Sequence, residues 1–158
     1  MVWTDPKGRR QAVTEAGDVL QGFDLKTGAL LWTSDVPGEG KVPSVVIGDG
    51  LAFCSGGWGG KEGIKAFRLG GEGRLQQSNL VWEQKRGEPK VPSLIHLDGH
   101  VYAMTDTGMA TCFEASTGSI VWQERVGGNF SASPVSANGR IYFVGDNGQT
   151  TVLEASKN

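Results

Sequence analysis

A sequence repeat constrains the fold of this chain more than any other feature. The run Phe23-Asp24-Leu25-Lys26-Thr27-Gly28, followed by Trp32, recurs 90 residues later as Phe113-Glu114-Ala115-Ser116-Thr117-Gly118, followed by Trp122. Between these two copies, Trp82 ends a third apolar run. Self-similarity at a fixed period is typical of a chain built from stacked units, none of which buries its apolar face alone.

The second half of the chain shows the length of the unit. Tyr102 and Tyr142 are 40 residues apart, and so are Glu114-Ala115-Ser116 and Glu154-Ala155-Ser156. Agreement over that length is not expected by chance. The unit is therefore about 40 residues long.

Tight turns divide each unit into hairpins. Asp49-Gly50, Asp98-Gly99 and Asn138-Gly139 each lie between two apolar runs. These dipeptides favour a type I′ turn, which needs positive φ at both central residues. A second element, Lys41-Val42-Pro43-Ser44, reappears 49 residues later as Lys90-Val91-Pro92-Ser93, just upstream of a turn in each case. The same hairpin therefore begins in the same way in two units.

Each unit is predicted to hold four antiparallel strands, A to D. The predicted units are residues 2–34, 42–84, 91–125 and 131–158, the last without its strand D. Strands of the first unit are predicted at 2–4, 11–15, 19–25 and 30–34, and those of the third at 93–96, 101–105, 109–114 and 120–125. Twenty-five glycines spread between short apolar runs indicate many turns. The pattern predicts an all-β fold, a β-propeller segment of about four blades, with no helix longer than one turn. The alternative is a β-sandwich with accidental similarity.

Charge and hydropathy exclude several kinds of partner. Fifteen basic and 17 acidic residues leave no run of like charge suited to nucleic acid or a membrane surface. No apolar stretch approaches the roughly 18 residues of a membrane span. The first residues of the sequence lack the basic and apolar regions that are typical of a signal peptide. Two cysteines, Cys54 and Cys112, are too few for a disulfide framework, and we expect buried thiols.

The run from Asp24 to Trp32, its copy ending at Trp122 and the hairpins before them resemble the PQQ-like (quinoprotein-like) propeller repeat. That repeat occurs in quinoprotein dehydrogenases and in the BamB-type outer-membrane assembly lipoprotein. The resemblance implies that the Thr-Gly turn and the following Trp form a docking motif, whose indole packs between neighbouring blades. The residues that it assigns to this structural motif are Asp24, Gly28, Trp32, Trp82, Glu114, Gly118 and Trp122.

No catalytic, cofactor or metal residue is predicted. A PQQ dehydrogenase of this kind would use a catalytic Asp, a calcium ion and often a vicinal disulfide, and no Cys-Cys pair or calcium-type cluster is evident in the sequence. His96 and His100 flank a turn without a third ligand, so we expect solvated histidines there. The glycine-rich run 56–63 lacks the Gly-Lys-Ser/Thr ending of a phosphate loop.

The second unit departs from the repeat in two loops. Its B–C hairpin carries three extra residues and its C–D loop carries six, and such insertions usually form exposed loops. B–C hairpins and D–A connections emerge on one face of a propeller. The residues predicted to face a partner there are Trp58, Lys61, Glu39, Lys41, Arg86, Glu88 and Lys90.

These observations favour a non-catalytic binding or scaffolding module for a protein or polysaccharide partner. The alternative is a piece of a PQQ-dependent dehydrogenase whose cofactor and calcium residues lie outside this segment. Four blades predict an open arc, completed by further blades or by self-association, with an unpaired edge at 150–154. The family's exported members suggest a periplasmic, cell-surface or secreted location.

Overall fold

The structure is a computed structural model that describes residues 1–37, 42–56 and 63–155. Within these residues it is an all-β propeller segment of four antiparallel sheets. Its longest helical element is the three-residue 3-10 turn Gln77–Asn79.

Each sheet is one blade, with its strands adjacent in sequence order. The first blade contains β1 (Val2–Thr4), β2 (Arg10–Ala16), β3 (Val19–Asp24) and β4 (Leu30–Asp35). The second contains β5 (Val46–Gly48), β6 (Leu51–Cys54), β7 (Ile64–Arg68) and β9 (Leu80–Gln84). The third contains β10 (Ile95–Leu97), β11 (His100–Met104), β12 (Met109–Glu114) and β13 (Ile120–Arg125). In the fourth, the described strands are β14 (Val135–Ala137), β15 (Arg140–Val144) and β16 (Thr150–Glu154).

The three predicted A–B turns are confirmed. Asp49, Asp98 and Asn138 have φ values of 51°, 48° and 51°, and the glycines that follow them have values of 70° to 74°. Positive φ at both central residues matches the right-handed twist of the strands on either side. Each of the last three blades therefore starts with the same tight hairpin.

The extra residues of the second blade's C–D loop form a strand on the first blade. Strand β8 (Gly73–Arg74) pairs in parallel with the outer strand β4, as a fifth strand of that sheet. The Arg74 guanidinium donates two hydrogen bonds to the Asp35 carboxylate, at 2.6 and 2.7 Å. The insertion is exposed, as predicted, but two of its residues also pair with the edge of a neighbouring blade, which was not predicted. We call residues 69–79 the strap.

Apolar cores fill the spaces between consecutive blades. One cluster joins the first and second blades, another the second and third, and another the third and fourth. Cys54 lies in the first of these cores and Cys112 in the last, and both thiols are buried. The second and third blades therefore separate the two cores, which rules out a disulfide between the two cysteines.

The described part of the chain contains no helix long and apolar enough to cross a membrane.

Candidate functional site

Trp82 packs between the second and third blades. Its indole Nε1 donates a hydrogen bond of 2.9 Å to the backbone carbonyl of Ala115 in the third blade. The ring lies on Gly118, where a Cβ atom would stand 2.5 Å from the indole. Gln84, two residues later on the same strand, donates to the Gly118 carbonyl at 2.8 Å. Glycine is required at this turn both by its φ of 72° and by the close approach of the ring.

Trp32 differs from Trp82, although each is the third residue of strand D in its blade. Its indole lies across Gly22 of its own blade, where a Cβ would come within 2.2 Å of the ring. Its Nε1 donates 2.8 Å to the Gln11 side chain, whose amide donates 3.1 Å to Asp5. The second blade carries the strap in place of a Thr-Gly turn, so the Gly118-type docking position is missing there. Trp32 is fully buried, because it also packs in the core between the first and second blades.

The buried chain of polar groups beneath Trp32 was not found from the sequence. Asp5 also accepts hydrogen bonds from the backbone N–H groups of Arg9 and Lys7 and from the Arg9 side chain. These donors, the Arg9 N–H foremost, hold the pKa of Asp5 below its ordinary value of 3.8. An Asp-Pro-Lys-Gly stretch predicts a turn, but no local pattern shows that its carboxylate reaches a glutamine on the next strand.

Asp24 ends strand C of the first blade, and Gly28 lies in the turn that follows it. Asp24 Oδ1 accepts hydrogen bonds from the N–H groups of Lys26 and Thr27, which lower the pKa of Asp24. Gly28 has a φ of 73°, and a Cβ placed there would meet no atom within 4 Å. The turn of the first blade is thus built like that of the third, but no described indole occupies it.

Glu114 and Trp122 belong to the third blade. Glu114 is half-buried at the end of strand C, and its Oε1 accepts a long hydrogen bond of 3.4 Å from Ser116. Trp122 is half-buried and packs towards the fourth blade, with its ring centroid 6.1 Å from that of Tyr102. Burial raises the pKa of the neighbouring Cys112 thiol to about 11.

The two histidines beside Asp98-Gly99 are not solvated turn residues, so that prediction is wrong. His96 stacks on Phe53 of the second blade, with ring centroids 5.8 Å apart, and its Nε2 lies 2.8 Å from the Asp49 carboxylate. His100 is only 4% exposed, and its Nδ1 lies 2.8 Å from the Asp98 carbonyl. His96 therefore packs against the second blade, whereas His100 packs within its own blade, with its ring centroid 6.3 Å from that of Tyr102. Among the described residues, no group of three or more His, Cys, Asp or Glu side chains is arranged to hold a metal ion.

Hydrogen bonds tie together the loops of the predicted partner-facing surface. The N–H of Lys90, in the connection between the second and third blades, donates 2.8 Å to the Asp106 carboxylate in the next B–C hairpin. The Asp106 carbonyl accepts the N–H of Phe130, at 3.0 Å. Arg86 is exposed on this surface, and Glu88 and Lys90 are half-buried. Trp58, Lys61, Glu39 and Lys41 lie outside the described residues. The described loops therefore form a preorganised face, which we call the loop face, consisting of residues 85–90, 105–108, 126–131 and 145–149.

A cleft of about 400 Å³ lies between the first two blades, beside the strap. Phe67, Leu75 and Leu80 supply apolar walls. Lys65 is largely buried there, and its Nζ lies 3.5 Å from the Glu83 carboxylate. The sequence did not indicate this cleft, because a lysine in an alternating strand resembles an ordinary surface residue. The cleft combines apolar surface with opposite charges, a combination that suits a small amphipathic group.

Comparison with protein families finds one matching family model, described as outer membrane protein assembly factor BamB, over residues 15–157. No curated protein matches the chain significantly.

Several solved structures share the fold. BamB from Moraxella catarrhalis is 21% identical with a TM-score of 0.67, over 98% of this chain and 45% of that one. The computationally designed Ika4 protein is 14% identical with a TM-score of 0.72, over 92% of this chain and 86% of that one. A quinohemoprotein alcohol dehydrogenase from Pseudomonas putida HK5 is 16% identical with a TM-score of 0.62, over 88% of this chain and 21% of that one. The chain spans less than half the length of the two natural proteins.

Proposed function

The chain belongs to the outer membrane protein assembly factor BamB family of PQQ-like β-propellers, and from this membership we propose that it is a non-catalytic module that binds a protein partner. The match over residues 15–157 is the observation that carries the proposal. A partner that takes part in outer-membrane protein assembly fits the description of the family. A likeness of fold does not decide function, and the quinohemoprotein neighbour shares the same architecture.

The loop face is the proposed binding surface. Exposed residues on short loops held by a rigid scaffold are the usual place for recognition. Lys90 and Asp106 join the connection after the second blade to the hairpin of the third, so little backbone ordering is needed when a partner binds. Exposed Lys85 and Arg86 would favour an acidic or carbonyl-rich partner surface.

Site-specific photo-crosslinking in the native host tests this proposal. A photoreactive residue in place of Arg86 should give a discrete crosslinked protein band. The matched control is Lys26, which is also exposed but lies in the C–D turn on the opposite face. Equal crosslinking from both positions, or none from Arg86, would contradict the loop face as the binding surface.

Titration with PQQ and calcium tests the alternative of a dehydrogenase segment. We expect no binding, because the donors described on the chain do not form a calcium-type cluster. Micromolar binding of the quinone in the presence of calcium, read by absorbance and by heat, would replace the scaffold proposal with the dehydrogenase one.

A further inference from the structure

Two neighbouring blades depart from the repeat on the face that carries the A–B and C–D turns. The last three blades join strands A and B by two-residue turns, whereas the first blade joins them through residues 5–9. The second blade has the strap where the first and third blades have a Thr-Gly turn. A departure of single units from a repeat is a usual place for a function that the other units lack.

Arg68, the last residue before the strap, reverses the charge of a repeated position. It pairs with Leu51 in strand register, and the equivalent residue is a carboxylate in the other three blades: Asp24, Glu114 and Glu154. Arg68 is exposed and forms no ion pair with the carboxylates that the structure describes. Stacking of the blades does not require a cation here, because the other blades stack with a carboxylate at the same position. The Arg68 guanidinium is therefore available to a ligand.

A cleft of about 400 Å³ lies where the two departures meet, and we call it the basic cleft. Three cations and two carboxylates line it: Lys7, Arg9, Arg68, Asp5 and Glu72. Trp3 and Leu69 add apolar surface. Pockets of this volume hold small ligands or a few side chains of a peptide.

The Arg9 guanidinium is fixed in position before any ligand binds. Its Nε donates a hydrogen bond of 3.2 Å to Asp5 Oδ2, and the Asp5 side chain is only 7% exposed. Arg9 Nη2 lies 3.9 Å from the Glu72 carboxylate, but the Glu72 side chain is 77% exposed, and so exposed an ion pair contributes little. The terminal Nη groups can therefore exchange Glu72 for a ligand carboxylate, whose two oxygens match the fork of an arginine.

We propose that the basic cleft binds an acidic segment of a protein partner, with an aspartate or glutamate side chain of that segment held by Arg9 and Arg68. Clusters of arginine recognise acidic peptide motifs through such paired contacts. Half-buried Trp3 packs on an apolar side chain of the same segment. Gly70 and Gly71, both with a φ of 107°, carry no side chain that would keep an extended peptide from the backbone. The cleft lies on the face opposite the loop face, so this site is separate from the one proposed there.

Selection from a random peptide library tests the kind of ligand. The folded chain is immobilised, and the library is displayed on phage. We expect the enriched peptides to share acidic residues beside an apolar residue. One enriched peptide is then synthesised with a fluorophore, and its affinity for the chain in solution is measured by fluorescence anisotropy. The affinity should fall as salt is raised from about 50 mM to about 300 mM, because salt screens exposed charges.

Charge-reversal variants test the position of the site. Arg68→Glu introduces the charge that the other blades carry at this position, so the blades should stack as before. It should weaken binding of the enriched peptide about tenfold or more, and Arg9→Gln should weaken it similarly, because each change removes charge-assisted hydrogen bonds. The matched control is Arg86→Glu, which changes the net charge as Arg68→Glu does but lies on the loop face, and it should leave the affinity unchanged. Circular dichroism and thermal melting show whether each variant is folded, and Arg68→Gln replaces an unfolded Arg68→Glu.

A selection that enriches no peptide, or only peptides without acidic residues, would overturn the proposal. An affinity that Arg68→Glu leaves unchanged would do the same. Equal weakening by Arg68→Glu and Arg86→Glu would show that the peptide responds to the overall charge of the chain or binds at the loop face, and either result contradicts the basic cleft as the site.

Discussion

Replacing Gly118 with alanine should cost far more unfolding free energy than replacing Gly28 with alanine. Both glycines end a Thr-Gly turn, and their φ values are 72° and 73°. A side chain in that conformation costs about 1–2 kcal/mol, and this cost is common to both positions. The surroundings differ, since a Cβ at Gly118 would stand 2.5 Å from the Trp82 ring and a Cβ at Gly28 would meet nothing within 4 Å.

The extra cost at Gly118 follows from the displacement of the indole. Overpacking a filled site costs about 1–3 kcal/mol, and loss of the hydrogen bond from Trp82 to the Ala115 carbonyl costs about 1 kcal/mol more. We therefore expect a difference of about 2–4 kcal/mol between the two variants. Chemical denaturation at one fixed chain concentration, followed by circular dichroism, measures this difference.

A double-mutant cycle shows whether the indole is the cause. In a Trp82→Ala background the ring is absent, so Gly118→Ala should cost no more than Gly28→Ala does in the unaltered chain. If Gly118→Ala and Gly28→Ala lowered the unfolding free energy of the unaltered chain by amounts that agree within about 0.5 kcal/mol, the reasoning would be refuted. So would a cost at Gly118 that stays the same after Trp82 is removed.

Three further predictions concern the first and third blades. Gly22→Ala should lower the melting temperature by several degrees, because a Cβ there would come within 2.2 Å of the Trp32 ring; an unchanged melting temperature would contradict the close packing. The pKa of Asp5 is lowered in the fold, so its carboxylate adds stability above its ordinary value of 3.8 that is lost as the pH falls below it. The gap in melting temperature between the unaltered chain and Asp5→Asn should therefore shrink between about pH 6 and about pH 3, with exposed Glu124→Gln as a control that opens no such gap. Cys112 is buried with a raised pKa, so a thiol reagent near neutral pH should modify it at the rate of unfolding rather than at the rate of a free thiol; rapid modification of the folded chain would contradict this.

The features that could be predicted from the sequence are local or repeated. The type I′ turns follow from Asp-Gly and Asn-Gly, because few other residues accept positive φ at both central positions. In the third blade, strands C and D were predicted at 109–114 and 120–125, and they lie at Met109–Glu114 and Ile120–Arg125. The alternation of apolar and polar residues along these strands, and the Thr-Gly turn between them, can be recognised from the sequence of one blade alone.

The contacts between blades could not be predicted in the same way. His96 was expected in solvent, but it stacks on Phe53 of the second blade, and its Nε2 lies 2.8 Å from the Asp49 carboxylate. The strap was expected to be a loop, and it pairs with the strand of another blade through Trp32 and Gly73. A loop insertion shows its length in the sequence, but the edge that it covers depends on how the blades stack.

The tryptophans show most clearly what the sequence determines and what only the tertiary structure determines. The sequence by itself determined that Trp32, Trp82 and Trp122 lie on strand D of their blades, and it determined the period that makes the chain a propeller segment. Only the tertiary structure decided where each ring goes. Trp82 packs on the Gly118 turn of the next blade and donates its N–H there. Trp32 lies beside the strap and packs on Gly22 of its own blade, and Gln11 accepts its N–H. A large ring with one buried donor occupies whichever neighbouring site has both room and an acceptor, and residues distant in the sequence supply both.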